Sequence, residues 1–91
     1  MLVIVAYDIM EPRRLAYVAK HCEDHGVRVQ YSIFECRMKA HDFELFWREL
    51  QDLINPKEDR LVAYRICLEC SKQIRVAGTM ATTDKVVAYV I

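Results

Sequence analysis

The chain has 91 residues, 54% of them hydrophobic, and 13 Lys and Arg balance 13 Asp and Glu to a formal net charge of zero. This length is one domain with a thin core. The apolar content excludes intrinsic disorder and favours a self-associating surface, and zero net charge excludes a strongly basic nucleic-acid binder, though not a local basic patch. No stretch reaches the roughly 18 apolar residues of a membrane span.

Leu2 to Tyr7 is a short, β-branched apolar run stopped by Asp8. It reads as a central strand covered on both faces. With no basic leader and no cleavage site, it is not read as a signal peptide. Pro12 suits a first helical turn. Leu15, Val18, Ala19 and Cys22 recur at helical spacing and Gly26 supplies a stop, so residues 12–25 are expected to form a helix.

Residues 27–38 alternate. Val27, Val29, Tyr31 and Ile33 share one face, and Arg28, Gln30, Ser32, Phe34 and Cys36 the other. The pattern predicts one long strand. A second helix is expected over 41–54, with Phe43, Phe46, Trp47, Leu50, Leu53 and Ile54 as its apolar stripe and Asn55-Pro56 as its end. A charged turn leads into a third strand at 61–67. A short strand is expected at 74–76, ended by Gly78, then a polar linker over 79–85 and a last apolar strand over 86–91.

This order predicts an α+β sandwich of the ferredoxin-like βαββαβ type, with an antiparallel sheet. Residues 1–78 form the core, and 79–91 add a linker and a C-terminal strand to the same domain. Two helices cover one face of such a sheet. The surplus apolar residues must cover the other, most simply by homodimerisation.

Several residues carry possible chemistry. Asp8, at the C-terminal end of a buried strand, is either a cap for the first helix or a carboxylate ligand for a hard cation such as Mg²⁺. Arg13 and Arg14, in the first helical turn, oppose the macrodipole. Phosphate binding would explain their placement, and Arg28 joins them as a third cation. Phe34 either stacks on a base or packs in an interface. Cys67-Leu68-Glu69-Cys70 is an isolated C-x-x-C. It lacks the second pair of a structural zinc site and the long helix of a thioredoxin-type site, so it is expected to be dispensable. The four cysteines read as reduced thiols of a cytoplasmic protein, and the histidines as surface residues.

Val3-Ile4-Val5-Ala6-Tyr7-Asp8-Ile9 and Gly26-Val27-Arg28-Val29-Gln30-Tyr31-Ser32-Ile33-Phe34-Glu35 resemble a known family. The first is similar to its opening strand, which ends in Tyr-Asp; the second to its motif G-x-R-V-Q-Y-S-V-F-E. A D-x-x-x-x-Y-R-x-C strand at Asp59 to Cys67 fits as well. The family is the small CRISPR-associated adaptation protein called Cas two.

The resemblance implies a homodimer with two Asp8 carboxylates facing each other near a Mg²⁺ site, where Mn²⁺ could substitute. It implies that the last strand docks on the partner subunit. It implies metal-dependent endonuclease activity on RNA or DNA, and a bridging role between dimers of the Cas one integrase during spacer acquisition, with protospacer DNA held by basic residues. Tyr7 and Asp8 match catalytic positions, and Arg13, Arg14, Arg28 and Phe34 match nucleic-acid-binding ones. Two alternatives share the fold: a toxin-type endoribonuclease and a non-catalytic regulatory or binding module.

Overall fold

The computed structural model describes residues 1–79. The expected terminal strand over 86–91, and all but the first residue of the expected linker, lie outside the described residues. Leu2–Asp8 forms β1, Pro12–Glu23 α1, Gly26–Gln30 β2, Ile33–Arg37 β3, Ala40–Leu53 α2, Arg60–Ile66 β4 and Leu68–Ser71 a single turn, α3. The four strands make one antiparallel sheet in the order β2-β3-β1-β4. This is the expected ferredoxin-like βαββαβ arrangement, with the apolar β1 at the centre.

Side-chain alternation along β1 sorts the sheet into two faces. Val3, Val5 and Tyr7 point toward the helices. There they join Phe34 and Cys36 of β3, Val18 and Cys22 of α1, and Phe43, Phe46 and Leu50 of α2 in one buried cluster. Each large apolar side chain buried in this way stabilises the fold by about 1.5–3 kcal/mol. Ile4, Ala6 and Asp8 point to the other face, which neither α1 nor α2 covers. On that face Val62 is 38% and Tyr64 57% exposed.

Three local expectations are corrected. The long strand over 27–38 is two strands, because the chain reverses at Tyr31-Ser32 and Gln30 pairs with Ile33. A register shift between Arg28 and Gln30 lets an extra residue into β2 and tightens the reversal. The reversal uses no Gly, Asn or Pro, so the alternation runs through it unbroken in the sequence. Gly26 does not end α1 by a left-handed cap. It opens β2 where the backbone runs against β3: an added Cβ would collide with the Glu35 carbonyl and lie 2.6 Å from Cys36 Sγ. Residues 74–76 form no strand; a stretch this short makes too few ladder bonds to hold itself on an edge.

Candidate functional site

Asp8 ends β1 on the open face and is exposed. The expected alternative role, capping α1, belongs to another residue. Glu11 is the N-cap: its carboxylate accepts from the Arg13 N–H at 2.7 Å and the Arg14 N–H at 3.1 Å. These two bonds favour the charged form and hold the Glu11 carboxyl below its ordinary range. They also place an anion at the helix N-terminus, which offsets the two arginines there. Asp8 is left without a capping task. Among the described residues its carboxylate makes no hydrogen bond or ion pair.

The cation nearest to Asp8 in the sheet is one the sequence reading passed over as part of a charged turn. Antiparallel pairing sets Asp8 directly opposite Arg60 of β4. The two flank a shallow depression of about 370 Å³ lined by Ala6, Tyr7, Asp8, Arg60, Leu61 and Val62. Arg60 could have been found by folding β4 back on β1 with Tyr7 against Leu61, a register that the hydrophobic pattern allows.

The other candidates disperse. Tyr7 adjoins Asp8 in sequence but projects to the opposite face. It is buried, and its ring stacks on Phe34 at 6.2 Å between centroids. Burial pushes its phenol pKa up, so it stays protonated at neutral pH. Phe34 is fully buried in the core. No ring face is open to a nucleobase, which corrects the stacking expectation.

Arg28 lies on the Phe34 face, 5.1 Å over that ring, and donates to Glu23 at 3.0 Å. It therefore sits on the other side of the sheet from Asp8. Arg13 is exposed, and its guanidinium makes no ion pair among the described residues.

Arg14 takes part in a different structure. Its Nε donates to Asp59 Oδ2 at 2.8 Å and its Nη2 to Oδ1 at 3.3 Å. The same carboxylate accepts from the backbone N–H groups of Met10 at 3.0 Å and Asn55 at 2.8 Å. The Asp59 side chain has no exposed surface. Four donors hold its pKa down at about 2, the Arg14 hydrogen bond first among them. Asp59 thus ties the β1–α1 loop, the first turn of α1 and the α2–β4 loop together. Asp8 stands beside a loop fixed by this clamp, which the sequence reading missed.

The histidines are less exposed than expected. His21 is half-buried and stacks on Phe46 at 5.2 Å between centroids, with Glu49 at 3.4 Å. Burial lowers its pKa and the neighbouring His25 lowers it further.

As a metal donor, Asp8 offers the oxygen ligand that Mg²⁺ takes, with water and phosphate free to complete the coordination. Among the described residues no group of three His, Cys, Asp or Glu side chains could hold a metal ion. One chain therefore contributes a single carboxylate. The chemistry fits a sparse Mg²⁺ site and is foreign to a closed zinc site.

Residues 1–74 match the family model described as CRISPR associated protein Cas2. The chain belongs to the Cas2 family. A relative from Chloroflexus aurantiacus, named CRISPR-associated endoribonuclease Cas2 3, is 31% identical over 91 residues, covering 100% of this chain and 98% of the relative. One from Halalkalibacterium halodurans, named CRISPR-associated endonuclease Cas2, is 33% identical over 89 residues, covering 92% and 93%. The crystal structure of Streptococcus pyogenes Cas2 superposes with a TM-score of 0.74 at 32% identity, covering 86% of this chain and all (100%) of that one. A hypothetical protein from Thermus thermophilus gives 0.76 at 31% identity, covering 88% and 93%. The Cas2 membership agrees with the sheet order and with the Tyr-Asp end of β1. Among the described residues no helix is long and apolar enough to cross a membrane.

Proposed function

We propose that this Cas2-family chain works as a homodimeric adaptor in spacer acquisition, holding nucleic acid and bridging Cas one integrase dimers, with a weak Mg²⁺-dependent endonuclease activity as a secondary capacity. The observation that carries the reading is the isolation of Asp8. It is exposed on the open sheet face, relieved of capping by Glu11, and backed by a loop that Asp59 holds in place. A two-fold partner docked on that face would bring a second Asp8 to the first.

Mg²⁺ or Mn²⁺ bound by Asp8 would supply a Lewis acid for a phosphodiester oxygen and a more acidic water. The chain's own residues do the rest. Arg60, opposite Asp8, would attract phosphate and offset charge developing on it. Arg13 would add a backbone contact from the start of α1. Arg14 would have to leave Asp59 to do so, and Arg28 would have to leave Glu23. One carboxylate per subunit is a sparse catalytic set, so turnover is expected to be slow. For the same reason the adaptor role stands first.

RNA cleavage, as the name of the Chloroflexus relative suggests, and DNA cleavage are both compatible with a site that grips phosphate. The toxin-type endoribonuclease remains as a rival, and it predicts RNA cleavage with no integrase dependence.

Light scattering tests the dimer and should return the mass of two chains; a monomer at micromolar concentration would end the proposal. Deleting residues 86–91 should weaken dimerisation more than it unfolds the monomer. Cleavage of RNA and duplex DNA, measured with and without Mg²⁺ in the native chain and in Asp8→Asn, tests the secondary activity. Loss in the variant is the expected result. Undiminished cleavage would take Asp8 out of the site.

A further inference from the structure

Cys67 and Cys70 are exposed free thiols at the end of β4, while Cys22 and Cys36 are buried in the core. The isolated C-x-x-C was expected to be inert for want of a helix, but the chain turns at once into α3 there. Cys67 is the N-cap of that turn, and its Sγ accepts the backbone N–H of Cys70 at 3.3 Å. Residues three apart on a helical turn stand about 5–6 Å apart at Cβ, and a disulfide needs roughly 3.5–4.5 Å. A single turn that no further helix extends can close that difference by a small rotation.

We propose that Cys67 and Cys70 form a redox-active dithiol that low-molecular-weight disulfides oxidise to an intramolecular disulfide, with Cys67 as the attacking sulfur. The roles follow from the local hydrogen bonds. The Cys70 backbone N–H and the Cys70 thiol both donate to the Cys67 sulfur. These bonds pull its pKa down and raise that of Cys70. The Cys67 thiolate attacks one sulfur of the external disulfide RSSR, forms a mixed disulfide and expels RS⁻. The Cys70 thiol then loses its proton and attacks the Cys67 sulfur, forming the Cys67–Cys70 bond and expelling the second RS⁻. The two protons and two electrons lost by the cysteines reduce RSSR to two RSH.

The buried pair does not compete. Burial pushes the Cys22 thiol up to about 12 and the Cys36 thiol up to about 11, so neither forms thiolate at neutral pH. The dithiol also lies where β4 hands over to the rest of the chain. Closing it would fix the geometry of α3 and the direction in which the chain leaves the sheet.

The test equilibrates the reduced full-length protein with glutathione buffers of graded oxidised-to-reduced ratio and maps the thiols by mass spectrometry. The expected product is one internal disulfide joining 67 to 70, with both core thiols free and full reversal by a reductant. In Cys70→Ser a stable mixed disulfide should accumulate on Cys67. In Cys67→Ser glutathionylation of Cys70 at pH 7 should be at least several-fold slower. Persistent single adducts on the native chain, a bond between two chains in place of the internal one, or faster reaction at Cys70 than at Cys67 would each overturn the proposal.

Discussion

Asp8 and Asp59 lie at the same end of the β1–β4 ladder, since Asp59 immediately precedes the residue paired with Asp8. Their surroundings are opposite. Asp59 is wholly buried and accepts four hydrogen bonds from three segments of chain. Asp8 is exposed and its carboxylate accepts none among the described residues. A buried carboxylate with every lone pair engaged is a structural group, because each donor it holds would otherwise be left unsatisfied. An exposed carboxylate on a rigid strand end keeps its lone pairs for something outside the chain. The contrast separates scaffold from site without reference to any relative.

The largest effect should follow from breaking the buried member. Asp59→Ala leaves the Met10 and Asn55 N–H groups and the Arg14 guanidinium without their acceptor. It should lower the denaturant midpoint more than any other substitution considered below. Amide exchange should show Met10 and the first turn of α1 opening first. An unchanged midpoint would mean that the clamp contributes nothing.

Acid sharpens the same comparison. The folded Asp59 carboxyl is held at about 2, against an ordinary 3.8. A depressed folded pKa stabilises the fold at every pH above the unfolded value, and that contribution disappears as pH falls from about 4 toward about 2. Equilibrium unfolding followed across that window should show a falling stability in the native chain. The fall should be much shallower in Asp59→Asn, which cannot titrate.

Asp8 and Asp59 also mark what was legible in the sequence. The unbroken apolar run ending in Asp8, and the two amphipathic helices, fix the central strand and the covered sheet face by hydrophobic period alone. The β2–β3 reversal was hidden because Tyr31-Ser32 carries no turn signal and keeps the period-two alternation intact. Asp59 was hidden for another reason. Its donors are Met10, Arg14 and Asn55, and a contact between segments about 45 residues apart leaves no local pattern. The Glu11 cap was readable, as an acidic residue just before a Pro at the first helical position. With that cap assigned, Asp8 need not have been left as a capping candidate. Phe34 misled because alternation gives a residue's face but not whether that face lies under a helix.

The two neighbouring arginines should divide as the carboxylates do. Arg14→Ala removes a partner of Asp59 and should lower thermal stability, though less than Asp59→Ala, since the two backbone donors remain. Arg13→Ala should leave stability unchanged. It should instead weaken nucleic-acid binding about equally across sequences and reduce the slope of log affinity against log salt by about 1. Filter-binding at several salt concentrations, run beside thermal melts of both variants, measures this. A stability loss in Arg13→Ala with an unaltered salt slope would reverse the assignment.

The smallest effect on the fold, and the most informative on function, belongs to Asp8→Asn. The substitution keeps the shape of the side chain and removes its charge. An exposed position without partners should tolerate it within about 0.5 kcal/mol, so the fold and the proposed dimer should persist. Both functional readings use that dimer, and they diverge only in what the charge must do. If the chain acts mainly as an adaptor, the charge has no chemical task, and cells carrying Asp8→Asn should still acquire new spacers while metal-dependent cleavage by the purified protein is lost. If hydrolysis is the essential step, acquisition should fail together with cleavage even though the dimer and its complex with the integrase assemble normally. Scoring acquisition and cleavage on the same variant, with dimer mass measured in parallel, therefore separates a chemical role for Asp8 from a structural one. Arg60→Gln then serves as the companion. It removes the cation set opposite Asp8 and leaves the carboxylate in place, so it should weaken phosphate capture and slow cleavage without abolishing it.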